Sequence, residues 1–268
     1  MRSYGLVLPA LLLASLAASA QQTQQAPATP PAAAPADDKA LDGYLQKWEG
    51  AMKDVTSLGA QLVRIDKDRT FNTVQKLAGE AYYMKAGTGP TALNLALLEM
   101  RLEGRDKKEI KEKFICTGTY IYQFLPDQKE IRYYEMPKPK PGQVAEDNLL
   151  SLLFGMKADD AKRRYSLKMA KEDQHYIYVD IAPRSAADKA DFQRARLVLN
   201  KGNSLPRQLW FEHANGNEVM WDIPNLRTDV KLDRKVFDAP KTPPGWKLVP
   251  GDKNPPPRTV RPSGPADK

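Results

Sequence analysis

A mainly β protein, with short helices laid over one curled antiparallel sheet, is the fold this sequence predicts, and three observations carry the prediction. Apolar residues alternate with polar ones over most of the chain. The alternating runs are separated by short Gly, Pro and Asn turns. The helical pattern is confined to one strongly amphipathic opening stretch and one interruption in mid-chain. Counting the alternating runs gives about eleven strands with meander-like connections.

The folded part opens with a helix over 39–54, where Leu41, Tyr44, Leu45, Trp48, Met52 and Val55 recur at three- and four-residue intervals. The period then changes to two. Ala60 to Ile65 gives a first strand and Leu77 to Met84 a second, with Leu77, Gly79, Ala81 and Tyr83 opposed to Tyr82 and Met84. Ala92–Leu102 is a third strand. Phe114–Phe124 is split at Gly118 into a fourth and fifth, and Glu130–Met136 pairs with the latter across Pro126-Asp127-Gln128-Lys129. After the mid-chain interruption come a short helix at 159–164 and strands at 175–181, 194–200, 207–213, 218–223 and 226–232. Lys201-Gly202-Asn203 and Asn215-Gly216-Asn217 are turn signals between them.

The interruption is the stretch 146–156. Asp147 or Asn148 can cap it and Gly155 can end it, while Leu149, Leu150, Leu152, Leu153 and Phe154 are apolar almost all the way round, with Met156 following. A helix of that kind must be covered on several sides, which predicts a greasy lid or plug on the concave side of the sheet. Pro137-Lys138-Pro139-Lys140-Pro141-Gly142 delivers the chain to it. The aromatic residues Tyr120, Tyr122 and Phe124 concentrate in one hairpin with Tyr133 and Tyr134. Alternation puts the first three on one face, where they either form cross-strand pairs in a core or wall an apolar ligand cavity with Ile121 and Gln123 outside.

The ends read differently. Met1-Arg2, an apolar run from Leu6 to Ala17 and Ala18-Ser19-Ala20 form a secretory signal pattern over 1–20, too short for the roughly 20 apolar residues of a membrane span. Residues 21–38 are a Gln, Pro and Ala-rich leader and 251–268 a proline-rich tail, leaving one domain at 39–250. The single cysteine, Cys116, stands far from the cleavage site. It allows neither an internal disulfide nor a lipid anchor there, and it reads as a small buried residue. The formal charge of +8 is spread along the strands among acids, as in 101–109, and is read as a solvated face, with attraction to anionic lipid headgroups as the alternative, and not as a nucleic-acid footprint.

No nucleophile elbow, zinc pair, phosphate loop or Cys-x-x-Cys occurs, so no catalytic residue, metal or cofactor is expected. His175 and His213, the only histidines, have no second ligand at metal spacing and read as structural or surface residues.

In order and spacing these segments resemble the bacterial lipoprotein-localisation family of LolA and its relatives. The resemblance runs from Leu41 to Val249. It rests on the opening helix with Leu58-Gly59-Ala60-Gln61-Leu62, the glycine-led aromatic strand Gly79–Lys85, the hairpin Thr117–Pro126, the apolar stretch 148–156, and Val236–Pro240 with Pro244-Gly245. Where the family carries an arginine beside a proline after its second strand, this chain has Lys85-Ala86-Gly87-Thr88-Gly89-Pro90. The resemblance implies an unclosed antiparallel β-barrel covered by short helices that shields acyl chains in transit. The expectation is therefore an exported, monomeric, non-enzymatic module for an acylated lipoprotein or lipid, served by a membrane-bound donor or acceptor protein. The same scaffold could instead act as an envelope sensor that reads acyl chains or protein partners.

Overall fold

Strand pairing builds the molecule outward from β1. The computed structural model describes residues 38–88, 92–104, 109–136 and 157–251. The opening helix is α1 (Asp38–Lys53), followed by β1 (Ser57–Asp68), β2 (Thr73–Ala86), β3 (Leu93–Leu102), β4 (Ile110–Cys116), β5 (Tyr120–Leu125) and β6 (Glu130–Glu135). Then come α2 (Ala158–Arg164), β7 (Tyr165–Glu172), β8 (Tyr176–Pro183), α3 (Ala186–Asp191), β9 (Arg194–Asn200), β10 (Pro206–Glu212), β11 (Glu218–Thr228) and β12 (Lys247–Pro250). All twelve strands form one sheet in the order β12-β6-β5-β4-β3-β2-β1-β11-β10-β9-β8-β7. Its two end strands are not neighbours, so the sheet is open, and every pairing except β12 with β6 is antiparallel. This is the predicted class, mainly β and unclosed with a few short helices.

The strand count differs from expectation for local reasons. The run 218–223 and the start of 226–232 are one strand, β11, which continues through a register shift against β1 between Gln61 and Val63 and ends at Thr228, so 229–232 are not strand. Ile223 and Pro224 together oppose Leu62 there, so the proline falls in a bulge where its missing N–H removes no ladder bond. Two strands and a helix add to the expected set. Among the described residues β7 has one neighbour only, β8, and its lysines hide its alternation. The four residues of β12 are a strand only because β6 lies beside them. α3 is announced by Ser185, whose hydroxyl accepts from the Asp188 amide at 3.0 Å and donates to Asp188 Oδ2 at 2.7 Å. The family-like stretch at Val236 is a turn of 3-10 helix, Arg234–Phe237, capped by Asp233.

The main core lies on one face. Leu41, Leu45, Trp48 and Met52 of α1, spaced one helical turn apart, are buried against Leu58, Ala60 and Leu62 of β1 and the inward residues of β8–β11, including Ile177, Val179, Leu197, Leu209 and Trp221. α2 joins this layer through Ala158 and Ala161. Its first free amide is satisfied by a residue of α1, Glu49 Oε2 accepting from Ala158 N at 3.0 Å. A smaller cluster fills the opposite face of β3–β4, where Leu95, Leu97 and Ile115 are covered by Phe237 and Leu232. Those two belong to the segment 229–246, tied at its start by Ser57 Oγ donating to Val230 O at 2.7 Å.

At Gly79 the β2 backbone leaves no room for a side chain against β3. A Cβ there would lie 2.0 Å from the Glu99 carbonyl oxygen and 2.7 Å from Met100 Sδ, and the first of these is backbone that cannot turn away. Gly79→Ala is therefore expected to cost about 2–3 kcal/mol in urea unfolding, the upper part of the overpacking range, by forcing β2 and β3 apart.

Candidate functional site

Cross-strand register assigns every side chain of β2–β6 to one of two faces. On the face that carries α1, a row runs Tyr83, Ala96, Cys116, Ile121, Tyr134 across five strands, and beside it a second row runs Ala81, Leu98, Phe114, Gln123, Arg132. Four inter-strand spacings make the first row roughly 19 Å long. All ten side chains are half-buried, and Ala96, Phe114, Cys116, Ile121 and Tyr134 belong to neither packed cluster. The result is an apolar strip beside α1 that, among the described residues, lacks the covering its neighbours on β1 and β11 receive.

A buried ionic cluster closes one end of this face. Arg64, 1 % exposed, donates from Nη1 and Nη2 to the two Glu112 oxygens at 2.7 and 2.6 Å, and from Nε to Asp66 Oδ2 at 3.1 Å. Its guanidinium also lies 5.1 Å from the Trp221 ring centre. Burial works against its charge, but Glu112 and Asp66 outweigh burial and hold its pKa above the ordinary arginine value. At Asp66, by contrast, burial dominates and pushes its carboxyl up in spite of Arg64. Asp66 Oδ1 and His213 Nε2 have no partner among the described residues, while His213 Nδ1 bonds the Asp191 carbonyl at 2.8 Å. That bond makes His213 a structural tie between β10 and α3.

The aromatic residues singled out in the sequence are on the other face. Tyr120, Tyr122 and Phe124 share one side, as alternation requires. Register pairs them with Glu135, Tyr133 and Ile131, on the face away from α1, which leaves Ile121 and Gln123 on the α1 side. Tyr120, Tyr122 and Tyr133 form a ring cluster with centroids 5.9–6.4 Å apart, and Phe124 meets Trp246 at 6.2 Å. Tyr120 and Tyr122 line an open recess of about 370 Å³ between the sheet and the 229–246 segment, with Leu93, Leu95, Arg234 and Phe237. The other expected ligand contacts, Leu149, Leu150, Leu152, Leu153, Phe154 and Met156, lie outside the described residues. Sequence reasoning passed over Ile121, Phe114 and Leu98. Ile121 alternates with the aromatic residues on β5, and Phe114 and Leu98 are alternating apolar residues of β4 and β3, but choosing between faces needs the register.

Cys116 is half-buried, with Sγ 3.3 Å from the Asn94 carbonyl and 3.2 Å from Met136 Sδ, and burial pushes its thiol pKa up. Among the described residues there is no cluster of three or more metal-ligating side chains, and no helix is long and apolar enough to cross a membrane.

No family model matches the sequence, and no curated protein matches it. Among solved structures, the chain is similar to an uncharacterised conserved protein from Thermus thermophilus, at 13% identity and TM-score 0.45, over 79% of this chain and 99% of that one. It is similar to a putative outer membrane lipoprotein-sorting protein domain from Vibrio parahaemolyticus, at 10% identity and TM-score 0.37, over 74% and 95% of the two chains. It is also similar to a LolA superfamily protein from Nitrosomonas europaea, at 9% identity and TM-score 0.33, over 74% and 96%.

Proposed function

We propose that this chain is an exported, non-enzymatic binding module that shields the acyl chains of a lipid or lipoprotein, taking them from or passing them to a membrane-bound protein. The observation that carries the reading is the half-covered apolar strip Tyr83, Ala96, Cys116, Ile121, Tyr134, flanked by Leu98 and Phe114. Its length of roughly 19 Å suits an extended acyl chain lying across the strands. Each methylene it removes from water contributes about 0.8 kcal/mol, so a modest number of contacts supports useful affinity without any polar recognition. The sequence resemblance to the lipoprotein-localisation family supports the same reading. In this proposal the apolar residues Leu149, Leu150, Leu152, Leu153, Phe154 and Met156 add to the ligand's surroundings.

Native mass spectrometry of protein purified without detergent tests for a carried lipid, and a fluorescent fatty acid measures affinity. Ile121→Lys places a charge in the strip at a half-buried position, and is expected to leave the fold intact while weakening fatty-acid binding about tenfold or more, the equivalent of two methylene contacts. Leu153→Glu should act in the same direction. Tyr122→Ala, on the opposite face, should change affinity little. Binding that survives Ile121→Lys but falls with Tyr122→Ala would move the site to the recess on the other face.

A further inference from the structure

The hairpin between β1 and β2 ends in the two most exposed large apolar side chains of the described residues, Phe71 at 61 % and Val74 at 67 %. Their exposure is built in. Asp68 Oδ1 accepts from Phe71 N at 3.0 Å, Asn72 takes the left-handed conformation that closes the turn, and the β10–β11 turn braces the tip. In that brace Asn217 Oδ1 accepts from Arg69 N at 3.0 Å, and Asn217 Nδ2 donates to Asp68 Oδ2 at 3.2 Å. A tip held this firmly presents Phe71 to solvent as a fixed feature.

The surrounding charge is cationic on the hairpin itself. Residues 67–76 carry Lys67, Arg69 and Lys76 against one carboxylate, Asp68, which is turned inward on backbone and amide partners. Lys67 and Lys76 meet Glu218 at 3.2 Å and Glu103 at 2.8 Å in exposed pairs, which yield readily to a stronger anionic surface. The whole chain is at +8. Two apolar side chains on a protruding tip fall far short of the roughly 800 Å² per partner that a stable protein interface buries. They are sufficient for shallow, reversible entry into the interfacial zone of a bilayer.

We propose that the β1–β2 tip is a membrane-docking element that inserts Phe71 and Val74 between the headgroups of an anionic bilayer, with Lys67, Arg69 and Lys76 against the lipid phosphates. This does not rest on the acyl-chain reading, since the tip is separate from the strip. The test uses the full chain as a Cys116→Ser, Thr70→Cys variant carrying a polarity-sensitive dye at position 70, mixed with vesicles of phosphatidylethanolamine and phosphatidylglycerol. The dye should shift to the blue and brighten, whereas the same dye at Gln174→Cys, in the β7–β8 turn at the other end of the sheet, should not. Adding Phe71→Ser and Val74→Ser should weaken apparent partitioning about tenfold, as loss of two partly inserted side chains requires, and Phe71→Trp should keep it. Equal responses at 70 and 174, or no loss in the double serine variant, would overturn the proposal. So would a dye response to a second unlabelled copy without vesicles, which would make the tip a self-association site. Fatty-acid binding in solution, measured on the unlabelled Phe71→Ser, Val74→Ser chain with its natural Cys116, should be unchanged, so this result and the acyl-chain result can fail separately.

Discussion

Arg64→Ala is expected to cost about 3–5 kcal/mol, because it takes away the cation that buried Asp66 and partly buried Glu112 share and the stacking partner of Trp221. Urea unfolding at neutral pH measures it. The loss comes from breaking the cluster and not from any net stability the cluster confers, since removing its three ions from water costs much of what their attraction returns. Arg64→Met combined with Asp66→Leu and Glu112→Leu should therefore recover most of the loss. If the single variant and the triple variant were equally destabilised, the guanidinium would matter through packing on Trp221 alone. A loss below about 1 kcal/mol would mean the pair behaves as an ordinary exposed ion pair.

Trp48→Ala should cost a comparable amount, about 3–5 kcal/mol, since Trp48 is the largest fully buried side chain among the described residues and ties α1 to the sheet. Trp48→Phe is expected to behave very differently. It gives up volume, but it also removes a buried Nε1–H that has no partner among the described residues, a group whose isolation costs roughly 1–3 kcal/mol. The two effects oppose each other, and thermal unfolding should place Trp48→Phe within about 1.5 kcal/mol of the natural protein. A much larger loss would show that the indole nitrogen is bonded in solution.

How much of this was legible beforehand follows from what periodicity can and cannot specify. The 3.6-residue spacing of Leu41, Leu45, Trp48 and Met52 placed α1 within one residue at each end, because one side of that helix had to be buried. The two-residue alternation of Leu77, Gly79, Ala81 and Tyr83, and of Tyr120, Tyr122 and Phe124, correctly grouped residues that share a face. The turns at Gly118, Gly202 and Gly216 located their hairpins, two of them because glycine alone takes φ of 85° and 81° easily.

Alternation by itself divides a strand into two sets without saying which set faces the helix, and tertiary structure decided that. Both sets of β5 are apolar enough for either role, so only the chain of registers from β1 through β4 could place Ile121 beside α1 and Tyr122 away from it. Arg64 and Glu112 are 48 residues apart and meet because strand pairing lays Leu62, Gly79, Met100 and Glu112 in one row, two residues along β1 from Arg64 on the same face. β12 is four residues with no pattern of its own, and it exists as a strand because β6 has an edge to pair. Local sequence sets dihedral preferences and side-chain period over a few residues. Which face is buried, and which distant charges meet, depend on strand pairing over the whole sheet.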